Sequence, residues 1–481
     1  MRDQYEEASN IIPHVLIFPL PIQGPINSML QLAELFCLAG LKITFLNTIH
    51  NQQRLLRCTD VQSRFEKYDE LFQFVTIHDG LPEEHPRSIE QFGDIISSVQ
   101  TVAEPFIREI LLSRHITCVI PDALCYYVVD IGNDMGVQVI PFDTISPSCL
   151  WVYLCLPELI QAQQLPFEDD NLDALVTHIP AMEGLLRRRD LPHFCLVDYK
   201  TDPSFLAALT EIERIPQAHG IILNTFEDLD GPFLSNIRSY SPKTYGIGPI
   251  HLQLKNKLVG QQITSLLSSN SLWQEDQSSI KWLDAQPVGS VIYVSFGSLI
   301  VASKEEILEF WHGLINSKVR FLWVLRPNIL KGSEMDYKFM KDIMEGSKEN
   351  GYIVSWAPQK KILGHQAIGG FLTHSGWNST VESIVEGKPM ICWSHNVDQR
   401  VNSRLVEKFW QIGLDMKDNC DRCTIERMIK NLMGTKRDEF KKSIDNLSKL
   451  ANLSVGEGGS SNNDLEALIK DIKGFTKLKK M

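Results

Sequence analysis

The chain has 481 residues, 43% of them apolar and 22% charged, with a formal net charge of −12. That length exceeds what one hydrophobic core holds, so two or more domains are expected. The negative charge argues against nucleic acid and anionic membrane as main partners, because both would repel it, and leaves small ligands open.

The N-terminal MRDQYEEASN (1–10) is acidic and lacks a basic n-region, and the apolar IIPHVLIFPL (11–20) is short and broken by proline. No signal peptide and no transmembrane span are read from it. Strand candidates then follow in order: HVLIFPL (14–20), KITFLN (42–47), TCVIPD (117–122), VQVIPF (137–142), GIILN (220–224), SVIYVSF (290–296), RFLWVL (320–325), YIVSW (352–356), IGGFLT (368–373) and PMICW (389–393). Helical runs such as NSMLQLAELFCLAG (27–40) and KEEILEFWHGLINS (304–317) lie between them. Continuous apolar strands alternating with helices specify parallel sheets covered on both faces.

Two such series separate. Residues 1–250 form the first, and 251–276, polar and without periodicity, is read as a linker. Residues 277–455 form the second, and GEGGSS (456–461) precedes a last helix expected to pack back on the N-terminal domain. The fold class is α/β: two doubly wound, Rossmann-like domains facing across a cleft, with ligands beyond the carboxyl ends of the strands. Ten cysteines lie scattered without a framework spacing, which suits reduced thiols in a cytoplasmic protein; Cys420 and Cys423 form a lone CxxC read as structural. The basic tail KGFTKLKKM is read as a solvated end.

The densest chemistry lies in WAPQKKILGHQAIGGFLTHSGWNSTVESIVEGKPMICWSHNVDQ, residues 356–399. IGGFLT is a strand, THSGWN a turn, and STVESIVEG a helix ended by Gly387. The helix start is an anion site, to which His374, Asn378 and Ser379 add side-chain donors, so a diphosphate fits there. Trp356 and Trp377 offer flat faces for a base and a sugar ring. Asp398 and Gln399, just past the next strand, are placed to bind hydroxyls. His365 and His374 do not make a metal site, since neighbouring carboxylates lack ligand spacing.

This stretch resembles the signature box of the plant family 1 UDP-glycosyltransferases, whose fold is GT-B. The likeness continues through IILNTFEDLDGPFL (221–234), YGIGPI (245–250), WLDAQPVGSVIYVSFGS (282–298), FLWVLRP (321–327) and the GGSS before the last helix. It implies that Trp356 stacks on uracil and that the Ala357 backbone bonds the base edge. Gln359 and Glu382 would hold the ribose. His374, Asn378, Ser379 and Ser298 would bind the diphosphate, and Trp377, Asp398 and Gln399 the sugar. Gln at the last box position is associated with glucose in the family, so the implied donor is UDP-glucose, used without a cofactor or metal. Ser394 stands where a proline usually follows CW, and this affects loop stiffness near Asp398. His365 is left as a capping or packing residue.

The resemblance implies that the N-terminal domain binds the acceptor, and that a histidine after the first strand, oriented by an aspartate, deprotonates its hydroxyl. Asp122 matches the aspartate. The histidine is absent: QGPINS places Pro25 there, which suits the first helical position. Three readings stay open. The acceptor is acidic enough to need little help; another group substitutes, with Asp122 ahead of His50; or the chain is an impaired homologue that binds a ligand or serves as a regulator. Phe142, Trp151 and Tyr153 are expected to line an apolar acceptor pocket. Local text, including IPAMEGLLRRRDLPHF (179–194), is similar to the iridoid branch that includes 7-deoxyloganetic acid glucosyltransferases. The RRRD run (187–190) either attracts an acidic acceptor or is an ion-paired face. The expectation is therefore an inverting glucosyltransferase for a small iridoid, terpenoid or phenolic aglycone, acting as a monomer.

Overall fold

The computed structural model describes residues 12–88, 91–197, 200–260, 269–330, 337–417 and 419–478. The chain divides into two compact units: Met1–Pro147, Leu206–Leu272 and Leu453–Met481 form the first, and Ser148–Phe205 with Trp273–Asn452 the second.

In the first unit, β1 (His14–Phe18), β2 (Lys42–Thr48), β3 (Phe72–Ile77), β4 (Cys118–Pro121) and β5 (Gln138–Val139) form one parallel sheet in the order β3-β2-β1-β4-β5. Every residue of β1 is buried, as a continuous apolar run covered on both faces must be. A smaller parallel sheet joins β6 (Phe142–Asp143), β7 (Ile221–Leu223) and β8 (Thr244–Gly246). A bridge between Asp122 and Phe142 links the two sheets. The last helix, Ser460–Leu478, packs on β8: Asp464 accepts the Gly246 N–H at 2.8 Å, and Asp471 accepts from the Tyr245 hydroxyl at 2.7 Å and Lys243 at 2.8 Å.

The second unit holds β9 (Val291–Ser295), β10 (Arg320–Val324), β11 (Gly351–Val354), β12 (Ile368–Thr373), β13 (Met390–Cys392) and β14 (Gly413–Asp415). All pair in parallel, in the order β11-β10-β9-β12-β13-β14. Both large sheets are thus doubly wound. Each reverses winding beside its own first strand, between β1 and β4 and between β9 and β12, and ligand crevices form at such switch points. The core of this unit gathers Trp323, Phe321, Phe296, Phe310 and Trp393 around the sheet.

The packing departs from the expected boundaries in two places. Residues 148–205 belong with the second unit, because Asp190, wholly buried, is held there by Lys417 at 2.8 Å and Arg404 at 3.3 Å. The expected linker begins as helix Ile250–Gly260, and residues 261–268 lie outside the described residues, as does the N-terminal stretch 1–11. Local text also misses three short or half-buried strands, β3, β8 and β14. VQVIPF, read as one strand, serves two sheets as β5 and β6.

Candidate functional site

The winding reversal of the second unit collects most of the residues expected at the donor site. After β12 the chain passes His374 and Ser375, the latter at φ 64°, and enters helix Trp377–Val385 with Gly376 as N-cap. The Thr380 N–H makes a 3.0 Å bond back to the Gly376 carbonyl, so the N–H groups ahead of it have no carbonyl within the helix to bond. The His374 ring is wedged between two glycines. A Cβ at Gly297 or at Gly376 would each stand 2.5 Å from its Nε2, and Gly297 also takes φ +68°. Both positions require glycine for the ring to sit there. Burial, then the charges of His395 and Arg326, lower the His374 pKa to about 3, so the imidazole is neutral at pH 7. Among the described residues its buried Nδ1 meets no hydrogen-bond partner, nor do the side-chain atoms Ser394 Oγ and His395 Nε2. Buried polar atoms left unpaired in one place mark a site built for a polar ligand.

Arg326 lies beneath this turn, and sequence reasoning gave it no role. It is 2% exposed, and it donates to the Ser298 carbonyl at 2.9 Å, the Asn328 side chain at 3.2 Å and the Ile300 carbonyl. Burial lowers its pKa to about 10, which leaves it charged at pH 7. The guanidinium therefore shapes the loop carrying Ser298 and places a positive charge beside the helix start.

Gln359 opens helix Gln359–Leu363. Its Nε2 donates to Glu382 at 2.8 Å and to Ser379 at 3.0 Å. The structure thus joins the two expected ribose ligands and adds Ser379 to them rather than leaving it with the diphosphate donors alone. Burial raises the Glu382 pKa. Trp356 is half-buried and Ala357 buried. The ring of Trp273 stacks on Trp356 with centroids 5.5 Å apart and planes at 25°. Trp273 was missed because it falls in the polar stretch assigned to the linker; a lone tryptophan in such text was the available signal.

Of the expected sugar ligands, Trp377 does not present a flat face. It is 2% exposed with its ring beside Trp410, since it occupies the first helical position and turns into the unit. Asp398 and Asn402 join at 2.9 Å, and Asn402 also bonds the Ser375 carbonyl at 2.9 Å, which ties the two turns together. The Gln399 side-chain oxygen accepts the His395 and Asn396 N–H groups at 3.1 and 3.3 Å and thereby shapes the loop at Ser394. His365 bonds Asp284 at 3.2 Å and accepts the Ala367 N–H at 3.1 Å, a capping role. Among the described residues no cluster of His, Cys, Asp and Glu has the geometry of a metal site.

In the first unit the expected proton-handling residues share the carboxyl edge of one sheet. Pro25 follows β1, His50 follows β2 and Asp122 follows β4. Pro25 is buried and stands third in helix Gln23–Leu38, not first as expected. The first four N–H groups of a helix lack intrahelical partners, so proline costs no bond there either; the first bond is Ile26 N–H to Ile22 O at 3.2 Å. Asp122 is 1% exposed and accepts the Leu124 N–H at 3.0 Å and the Thr144 hydroxyl at 2.9 Å. Burial pushes its pKa up against those two bonds. Burial, then the charges of Arg87 and Arg54, lower the His50 pKa.

The three rings expected to line an acceptor pocket are all buried. Phe142, in the first unit, is wholly buried. Trp151 and Tyr153 belong to the second unit, where Trp151 donates to the Pro180 carbonyl at 2.7 Å and Tyr153 meets Phe194 edge-on at 5.4 Å. The RRRD arginines are ion-paired: Arg187 with Asp173 and Asp190, Arg188 with Asp169, and Arg189 with Asp173. No described helix is long and apolar enough to cross a membrane.

A family model described as UDP-glucoronosyl and UDP-glucosyl transferase matches residues 269–453. The chain is 48% identical over 478 residues to a 7-deoxyloganetic acid glucosyltransferase of Catharanthus roseus, covering 98% of this chain and 99% of that one. It is 40% identical over 472 residues to a myricetin 3-O-rhamnoside 1,2-glucosyltransferase of Crocosmia x crocosmiiflora, covering 96% of each. The crystal structure of Os79 from O. sativa in complex with UDP superposes with a TM-score of 0.80 at 25% identity, over 95% of this chain and 100% of that one. Identity of this level over nearly the full length means that the chain belongs to the plant UDP-glycosyltransferase family: it is a glycosyltransferase of GT-B fold.

Proposed function

We propose that the chain is an inverting, UDP-glucose-dependent O-glucosyltransferase whose acceptor is a small iridoid or related terpenoid with an acidic hydroxyl. The observation that carries the donor assignment is the turn after β12. Neutral His374, the helix start and the buried Arg326 converge there, beside the linked Gln359, Glu382 and Ser379. A diphosphate supplies the negative charge that these donors lack, and a ribose engages the Gln359–Glu382 pair. The iridoid class is supported by the Catharanthus roseus relative, and an acidic hydroxyl by Pro25 at the position of the usual base.

In the reaction, the acceptor oxygen attacks the anomeric carbon on the face opposite UDP. The new C–O bond forms as the C–O bond to the diphosphate breaks, and UDP leaves with the electron pair. Donors fixed in advance around the leaving group stabilise the charge that develops, and this reading needs no metal for that purpose.

The test is to incubate the protein with UDP-glucose and a panel of cyclic hemiacetal acids, phenolic acids and simple alcohols. UDP release and the anomeric configuration of any glucoside are measured. A β-glucoside from an acidic acceptor is expected. Tight UDP-glucose binding with no glucoside from any acceptor would favour the ligand-binding homologue instead.

The Trp273–Trp356 stack adds a second expectation. Trp273→Ala removes the ring that fixes the plane of Trp356, and aromatic pairs contribute about 1 kcal/mol beyond their buried area. Calorimetry is expected to show UDP binding weakened about fivefold in Trp273→Ala and largely recovered in Trp273→Phe. An unchanged dissociation constant in the alanine variant would remove Trp273 from the nucleotide site.

A further inference from the structure

Helix Pro203–Arg214 turns an apolar face inward with Ala208, Ile212 and, just beyond the helix, Ile215, and on that same face it buries Glu211. Glu211 is 3% exposed and its Oε2 meets no hydrogen-bond partner among the described residues. A carboxyl placed in an apolar interior without a partner is costly, and such a group calls for an explanation in function. One turn on, Arg214 pairs at 3.5 Å with Asp130 of helix Tyr127–Met135, which follows Asp122 in the chain. Burial first, and then the charge of Asp122, push the Glu211 pKa up. Asp122 holds its donors Thr144 and Leu124, Cys125 and Tyr127 follow it after β4, and the Arg214–Asp130 ion pair lies one turn beyond Glu211.

We propose that Glu211 binds the acceptor as a neutral acid, donating a hydrogen bond from its unpartnered Oε2 to an acceptor oxygen, beside Asp122, which takes the acceptor's proton. This deepens the glucosyltransferase reading and rests on it. The two carboxyls divide the work of the missing imidazole: one holds the oxygen and the other accepts its proton. The proton of the acceptor hydroxyl passes to the Asp122 carboxylate. The oxygen bonds to the anomeric carbon, UDP departs with the electron pair of the broken bond, and Asp122 then returns its proton to water. Like charges close together resist ionising both, so the pair keeps one proton at neutral pH, and it rests on Glu211, the carboxyl raised further.

The roles fix the test. Glutamine mimics neutral glutamic acid as a donor; leucine does not. Glu211→Gln is expected to keep kcat on a hydroxyl acceptor within about threefold, whereas Glu211→Leu raises KM for that acceptor at least about tenfold. Asp122→Asn is expected to lower kcat by about a hundredfold or more. On the alkaline side of neutral, acceptor affinity of the wild type falls as Glu211 ionises, and this limb is absent in Glu211→Gln. Thermal unfolding followed by circular dichroism checks that each variant is folded, and calorimetry with UDP-glucose checks that the donor site, to which none of these residues belongs, is intact. A Glu211→Leu enzyme with unchanged KM overturns the proposal, as does an alkaline limb that persists in Glu211→Gln. No turnover by the wild type with any acceptor overturns the glucosyltransferase reading itself, and this proposal with it.

Discussion

Arg326→Met is expected to abolish measurable UDP-glucose binding and to destabilise the second unit by about 2–5 kcal/mol. The side chain is 2% exposed and bonds two main-chain carbonyls, those of Ser298 and Ile300. Methionine fills a similar volume but leaves both carbonyls buried without a donor, and each such loss costs about 1–3 kcal/mol. The same change removes the charge that reaches His374. Arg326→Lys keeps a charge but cannot span two carbonyls with a planar fork, so it is expected to recover part of the binding and little of the stability. Denaturant unfolding and calorimetry with UDP-glucose measure the two effects separately. A methionine variant that binds UDP-glucose within threefold of wild type would show that the buried charge does not serve the nucleotide.

How much of this was legible in the sequence depended on the length scale of each signal. The parallel sheets were readable because strands such as VIYVS and IGGFLT are continuous apolar runs buried on both faces. The turn after β12 was readable because strand, glycine turn and helix start follow one another within a few residues. Arg326 was not, because its partners lie 26 and 28 residues earlier and only the pairing of β9 with β10 brings them near. Glu211 was invisible for a different reason. A single acid on a helix reads as a solvated residue, and only burial reveals that it faces inward. Trp151 and Tyr153 are buried, and an apolar ring near a loop reads the same in sequence whether it packs in a core or lines a pocket. The RRRD run left two readings open because Asp169 and Asp173, which pair with its arginines, lie 14 or more residues earlier, and only Asp190 is within the run itself.

Pro25→His is expected to raise kcat on simple alcohols by about a hundredfold and to change it less than about threefold on acidic acceptors. The helix tolerates the exchange. Position 25 is third in helix Gln23–Leu38, where no intrahelical bond is made by the residue's own N–H, and the bond from Ile26 to Ile22 is untouched. Asp122 follows β4, the strand paired with β1, and its own N–H bonds the Phe18 carbonyl at 2.8 Å. An imidazole after β1 therefore emerges at the same sheet edge as this carboxylate. The imidazole puts a second base at the sheet edge, with Asp122 turning from proton acceptor to orienting partner. The gained activity should fall as pH drops below about 6.5, because imidazolium accepts no proton. An acidic acceptor has little to gain, since its proton is not the obstacle. Initial rates of UDP release with a matched pair of acceptors, one a plain alcohol and one a hemiacetal, read both expectations at once. A folded Pro25→His protein that binds UDP-glucose normally and gains nothing on the alcohol would mean that proton removal is not what position 25 controls.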